Sequence, residues 1–167
     1  MVILIMGVSG SGKTSVGRLV ARVLQVPFVD GDDLHPRANI SKMKEGFPLT
    51  DEDRVPWLNR VAAEMLCLAQ QEGGVVACSA LKEIYRKILF SDVSFPVLLV
   101  YLKGTRNTLS QRLTQRTEHF MPPALLDSQL KTLEEPDAAL TLSIELTPEI
   151  LCHRIVHQAL LLAHTTS

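Results

Sequence analysis

Residues 7–14 read GVSGSGKT, directly after the apolar run VILIM at 2–6 and directly before a stretch of helical spacing at 14–25. A segment of the form G-x-x-x-x-G-K-[ST] set between a strand pattern and a helix pattern leaves few folds open. Its glycines admit backbone conformations closed to other residues, so the N–H groups from Gly7 through Val8, Ser9, Gly10, Ser11 and Gly12 can converge on phosphate oxygens at a helix N-terminus. Lys13 is spaced to reach the β and γ phosphates, and the Thr14 hydroxyl to ligate Mg²⁺. The segment is read as a triphosphate-binding loop.

Further apolar runs rich in β-branched residues occur at 26–29, 74–79, 97–102 and 140–146. Helical spacing occupies 56–72, 81–90, 106–116, 123–133 and 148–163. Strands that alternate with helices and are apolar throughout predict an α/β fold, with five parallel strands covered on both faces. One domain over 1–167 is expected, interrupted by polar insertions at about 31–55 and about 117–123, where functional loops are expected. A net charge of −1 without a basic face argues against nucleic acid as a partner. No apolar run approaches the roughly 20 residues of a membrane span, and MVILIM lacks the basic leader of a signal peptide. Cys67, Cys78 and Cys152 are odd in number and widely spaced, which fits a reducing cytoplasm better than a disulfide framework.

The second apolar run opens into VDGDDLHP, residues 29–36, with three carboxylates in four positions. Alone, this reads as a turn and a helix cap. Beside a triphosphate loop it reads differently, because such sites add a carboxylate at a strand end on the metal side, and neither 74–79 nor 97–102 supplies one. Asp30 takes that role, Asp32 lies where it can meet an acceptor hydroxyl, and Asp33 is read as the cap of the following helix. A GTPase switch needs D-x-x-G and N-K-x-D, and neither occurs. A phosphoryl-transfer enzyme needs an acceptor pocket and a water-excluding lid, for which the two insertions are candidates; an ATP-binding module without transfer stays open at this point.

Cationic side chains cluster at the same strand ends. Arg54, within PLTDEDRVPWL, either pairs with Asp51 or Asp53 or grips an anionic acceptor. Lys82 and Arg86 are spaced i,i+4 in CSALKEIYR, and Arg112 and Arg116 one turn apart just before TEHFMPP, where Phe120 and Met121 have no core to join unless the loop folds down. His153 and His157 lack a third ligand and are read as ordinary helix residues.

The phosphate loop, DGDDLHP, KMKEGFPLTDEDRVPWL, CSALKEIYR and RTEHFMPPALLDSQLKTLEEP, in that order, resemble the gluconokinase family, small P-loop kinases related to shikimate kinase. The resemblance implies transfer of the ATP γ-phosphoryl group to the 6-hydroxyl of D-gluconate, dependence on Mg²⁺, a homodimer, and a nucleoside-monophosphate-kinase-like P-loop NTPase fold with strand order 2-3-1-4-5. A shikimate-type or nucleoside-monophosphate acceptor is the alternative. By position, Lys13, Asp32 and Arg116 become catalytic candidates. His35, Arg54, Lys82 and Arg86 become contacts for the sugar acid together with Asp32, Thr14 and Asp30 hold metal, and Arg112 and Arg116 form the lid pair on the phosphates. The adenine is expected near Thr147 and Pro148. Three positions depart from the family pattern: Glu118 where Gly is common before the lid His-Phe, and Lys87 and Phe90 where Asp and Arg are common.

Overall fold

The computed structural model describes residues 1–115 and 123–165. The strands are β1 (Val2–Met6), β2 (Phe28–Asp30), β3 (Gly74–Ala77), β4 (Val97–Lys103) and β5 (Leu140–Ser143). They form one parallel sheet in the order β2-β3-β1-β4-β5, as the resemblance implied. The helices are α1 (Lys13–Leu24), α2 (Arg37–Lys44), α3 (Asp51–Ala69), α4 (Glu83–Leu89), α5 (Arg106–Thr114), α6 (Pro123–Thr132) and α7 (Pro148–Thr165), with a single 3-10 turn at Gly31–Leu34.

β1 is central because it is apolar at every position, and its alternating side chains feed two cores. Ile3 and Ile5 pack with Val100 and Leu102 of β4 against Val16 and Val20 of α1 and Leu151 and Ile155 of α7. Val2, Leu4 and Met6 pack on the other face against Trp57, Leu58, Val61 and Met65 of α3 and Tyr85 and Leu89 of α4. At about 1.5–3 kcal/mol for each large side chain fully buried, these two layers supply the main driving force for the fold and set the carboxyl ends of β1, β2 and β3 side by side.

The region 31–55, expected to be mainly loop, is mostly helical. It holds the 3-10 turn, α2 and the first five residues of α3. α3 begins at Asp51, five residues ahead of the expected 56, because Thr50 and Asp53 form a reciprocal capping box: Asp53 N–H donates to Thr50 Oγ1 at 3.2 Å and Thr50 N–H to Asp53 Oδ2 at 2.7 Å. Pro56 therefore lies inside the helix rather than opening it. β2 starts at Phe28 rather than 26, which makes Asp30 its last residue.

Candidate active site

The phosphate loop leaves β1 through Gly7, whose φ of 147° and whose tight fit (a Cβ there would lie 2.9 Å from the Leu102 carbonyl oxygen) both require glycine. Gly12, at φ 94°, caps α1 in a left-handed conformation that turns the loop's N–H groups inward. Lys13 folds back over the loop, and its Nζ donates to the Val8 carbonyl at 3.2 Å. Ser11 is fully buried, and its hydroxyl has no partner among the described residues. Gln129 of α6 engages Ser9 twice: its Oε1 accepts from the Ser9 N–H at 2.8 Å and its Nε2 donates to Ser9 Oγ at 3.1 Å. Sequence reasoning missed Gln129, which is 120 residues from its partner and carries no motif signal.

At the end of β2, Asp30 Oδ2 accepts from the Thr14 hydroxyl at 2.7 Å and Oδ1 from the Asp32 N–H at 3.2 Å. The second bond caps the 3-10 turn, so Asp30 is the cap here. Asp33, expected to cap the next helix, lies exposed within the turn, and α2 instead follows Pro36 with no side-chain cap. Proline at that junction fixes the backbone ahead of α2 without a side-chain acceptor. Among the described residues no group of three or more His, Cys, Asp or Glu side chains could cage a metal. Mg²⁺ needs none, since it takes one or two protein oxygens and completes its shell with phosphate and water, and the adjoining Thr14 hydroxyl and Asp30 carboxylate are donors of that kind. Cys78, buried at the end of β3, has its thiol pushed up to about 12 by burial and is no nucleophile at neutral pH. Asp30, bonded to both the Thr14 hydroxyl and the Asp32 N–H, brings the phosphate loop and Asp32 to one strand end.

Beyond Asp32 the 3-10 turn is pinned to α3 by Trp57, whose Nε1–H donates to the Gly31 carbonyl at 2.6 Å. His35 stacks on the Trp57 ring, centroids 4.1 Å apart. Asn39 lies 3.4 Å from His35 Nδ1 and donates to the Asp53 carbonyl at 2.8 Å. Burial depresses the His35 pKa, against an opposing pull from Asp32 and with a smaller lowering from Arg54. The fold thus favours neutral imidazole: its stabilisation is complete above the unfolded value of about 6.5 and declines as pH falls from there toward the lower native value. In a ¹H–¹⁵N titration the His35 ring is expected to show a midpoint below about 6.5, and a higher midpoint would contradict its buried setting.

Arg54 makes neither of the ion pairs open to it on paper. Its Nη1 donates to the Leu49 carbonyl at 2.6 Å and to the Tyr85 hydroxyl at 3.3 Å, while Asp53 pairs with Lys42 at 2.5 Å and Asp51 with Lys82 at 2.8 Å. Lys42 and the Thr50 N–H hold the Asp53 carboxyl at about 2. Lys82 and Arg86 do not share a helical face: α4 starts at Glu83, so Lys82 is its N-cap residue. Arg86 is buried, with Nη1 donating to the carbonyls of Ala80 at 3.0 Å and Leu81 at 3.1 Å. Those bonds brace a turn in which Ala80 adopts φ 45°, a strained value for a residue with a Cβ. Arg86 is therefore a strut of the β3–α4 turn in this structure, and the expectation that Lys82 and Arg86 both lie within one helix is corrected, since Lys82 precedes α4.

On the other side of the loop, Arg112 donates through Nη2 to the Ile144 carbonyl at 2.6 Å and brings Nη1 within 3.7 Å of the place a Gly12 Cβ would occupy. A cavity of about 320 Å³ opens there, lined by Gly10, Gly12, Arg112, Gln115, Pro148 and Leu151 among others. Arg116, its expected partner, lies outside the described residues, as do Glu118, Phe120 and Met121.

A phosphate loop facing a carboxylate, with two cations beyond it, invites comparison with known kinases. The shikimate kinase family model matches residues 9–158. The thermosensitive gluconokinase of Escherichia coli (strain K12) is 49% identical over 136 residues, covering 81% of this chain and 72% of the relative. The chain belongs to the gluconokinase family. A crystal structure of a gluconokinase from Sinorhizobium meliloti 1021 superposes with a TM-score of 0.89 at 41% identity, covering 99% of this chain and 94% of that one. The Mycobacterium tuberculosis APS kinase CysC in complex with AMPPNP and APS shares the fold at a TM-score of 0.75 and 20% identity, over 93% of this chain and 95% of that one. Within this gluconokinase-family chain, the expected residues gathered on one side of the loop are Lys13, Thr14, Asp30 and Asp32, with His35, Arg54 and Lys82 beyond them. Asp51, read from sequence only as a possible surface partner of Arg54, and Tyr85, given no role there, stand beside them.

Proposed function

We propose that the chain transfers the γ-phosphoryl group of ATP to the 6-hydroxyl of D-gluconate, giving 6-phospho-D-gluconate and ADP. The observation that carries this is a phosphate loop joined through Thr14 and Asp30 to Asp32 at one strand end, with the cations Arg54 and Lys82 gathered about Tyr85. That polarity matches a linear acid whose reacting hydroxyl and carboxylate are at opposite ends. Asp32 orients the 6-hydroxyl and takes its proton as the new P–O bond forms and the bond to ADP breaks. Lys13 and the loop N–H groups stabilise the charge spread over the transferring oxygens. Arg54 and Lys82 receive the acceptor carboxylate, with His35 packed behind. Thr14 and Asp30 would hold Mg²⁺, which supplies charge neutralisation on the phosphates when bound. The adenine takes the cavity bordered by Pro148, with Arg112 toward the phosphates.

Residues 1–167 are read as one kinase domain, with 31–55 serving the acceptor and about 117–123, with Arg116 immediately before it, closing over the phosphates. The family resemblance supports a cytoplasmic homodimer, which sedimentation of the purified protein would check. Among the described residues no helix is long and apolar enough to cross a membrane. The deciding experiment is ADP release with gluconate, shikimate, a nucleoside monophosphate or no acceptor. Gluconate is expected to be phosphorylated with one ATP consumed per product and little turnover without it. Equal turnover with and without acceptor would mark an ATPase, and a preference for another acceptor would replace the substrate.

A further inference from the structure

Tyr85 organises two cations and one anion. The Arg54 guanidinium lies over its ring at 5.4 Å and the Lys82 ammonium at 5.5 Å, while its hydroxyl accepts from Arg54 Nη1 at 3.3 Å and donates to Asp51 Oδ1. Lys82 Nζ donates to both Asp51 oxygens, at 2.9 and 2.8 Å. An external carboxylate arriving at Lys82 would therefore find a carboxylate already there.

From this arrangement we infer that Asp51 is an internal stand-in for the acceptor carboxylate, which must displace it from Lys82 on binding. The inference rests on the reading above that Arg54 and Lys82 receive that carboxylate. Three observations favour a displaceable role over a purely structural one. First, the N-terminus of α3 is already served by the Thr50–Asp53 capping box, so the helix does not need the Asp51 side chain as its cap. Second, the Asp51 side chain is 52% exposed and that of Lys82 29%, an ion pair of the kind that contributes little to stability and separates at small cost. Third, the exchange leaves no cation unpaired: one carboxylate replaces another, and Asp51 turns to water. Lys82 and Tyr85 together hold the Asp51 carboxyl below its usual range, consistent with an ionised occupant.

The consequence is specificity. A sugar acid brings the charge that replaces Asp51, whereas a neutral polyol of the same length would have to leave the Asp51–Lys82 pair intact or break it uncompensated. Asp51 thereby weakens every acceptor somewhat and neutral ones most.

The test is steady-state and calorimetric binding of gluconate by the full chain carrying Asp51→Asn, Asp51→Ala or Lys82→Ala. Removing the Asp51 charge is expected to lower both KM and Kd for gluconate by about 2- to 5-fold, the range an exposed pair can supply, with KM for ATP unmoved. Lys82→Ala is expected to raise KM for gluconate by about 10-fold or more. A merely structural Asp51 would weaken or not affect gluconate binding, so an unchanged or raised Kd in both Asp51 variants overturns the stand-in role. If Lys82→Ala also leaves gluconate binding unchanged, the carboxylate site itself has been misassigned; if it weakens binding as expected, only the stand-in role has failed.

Discussion

Lys13→Ala is expected to lower kcat by about 10²- to 10³-fold or more and to weaken ATP as well. The residue is the first of α1, where the helix N-terminus and the loop N–H groups already create a positive field, and its ammonium adds a full charge that can follow the γ-phosphoryl group as it moves. In the structure its Nζ lies against the Val8 carbonyl, arched over the loop rather than extended into solvent, so little reorganisation separates this position from one over a phosphate. Because the interaction strengthens as charge develops, the larger loss should be in kcat and the smaller in KM for ATP. Lys13→Arg should rescue poorly, since a planar fork does not fit where a compact ammonium is cradled by a tight loop. Retention of more than about a tenth of wild-type kcat by the alanine variant would remove Lys13 from the transfer step.

What could be read from the sequence, and what could not, follows from how far apart the partners lie along the chain. GVSGSGKT is legible because its whole mechanism is local: glycine conformations, a helix start and two side chains within eight residues. The sheet is legible because buried parallel strands are apolar throughout. α2 was not, because RANISKMK buries Asn39 alone and so shows no apolar stripe. α3 starts at Asp51 rather than at the 56 expected from apolar spacing, because the Thr50–Asp53 capping box, a polar signal outside the apolar pattern, sets the start. The pairing of Lys82 with Arg86 assumed that the helix ran from 81; a start at Glu83 leaves Lys82 ahead of the helix, paired with Asp51, and Arg86 buried under a strained turn. Asp51 and Tyr85 are 34 residues apart and meet only because α3 and α4 pack on the same sheet face. No spacing rule reaches that far.

Asp32→Asn is expected to lower kcat by about 10²- to 10⁴-fold while ATP affinity stays close to wild type. The three neighbouring carboxylates of VDGDDLHP divide into distinct environments in the structure, which is why they should respond differently. Asp30 is half-buried and holds both the Thr14 hydroxyl and the Asp32 N–H, so Asp30→Asn should raise the Mg²⁺ concentration needed for half-maximal rate and loosen the 3-10 turn. Asp33 is exposed and caps nothing, so Asp33→Asn should be close to neutral. Asp32 lies between them with its N–H fixed by Asp30 and its carboxylate exposed, near enough to Lys13 for both charges to bear on Cys78. The amide keeps its shape but cannot accept the hydroxyl proton, so the deficit should appear in transfer and not in nucleotide binding. Crowding is tolerable because Lys13, and Mg²⁺ when present, offset the mutual repulsion of the acids. The rate ratio across the three variants is the critical measurement. Normal turnover in Asp32→Asn, or a larger loss in Asp33→Asn than in either neighbour, would mean that the proton acceptor lies elsewhere on the acceptor wall.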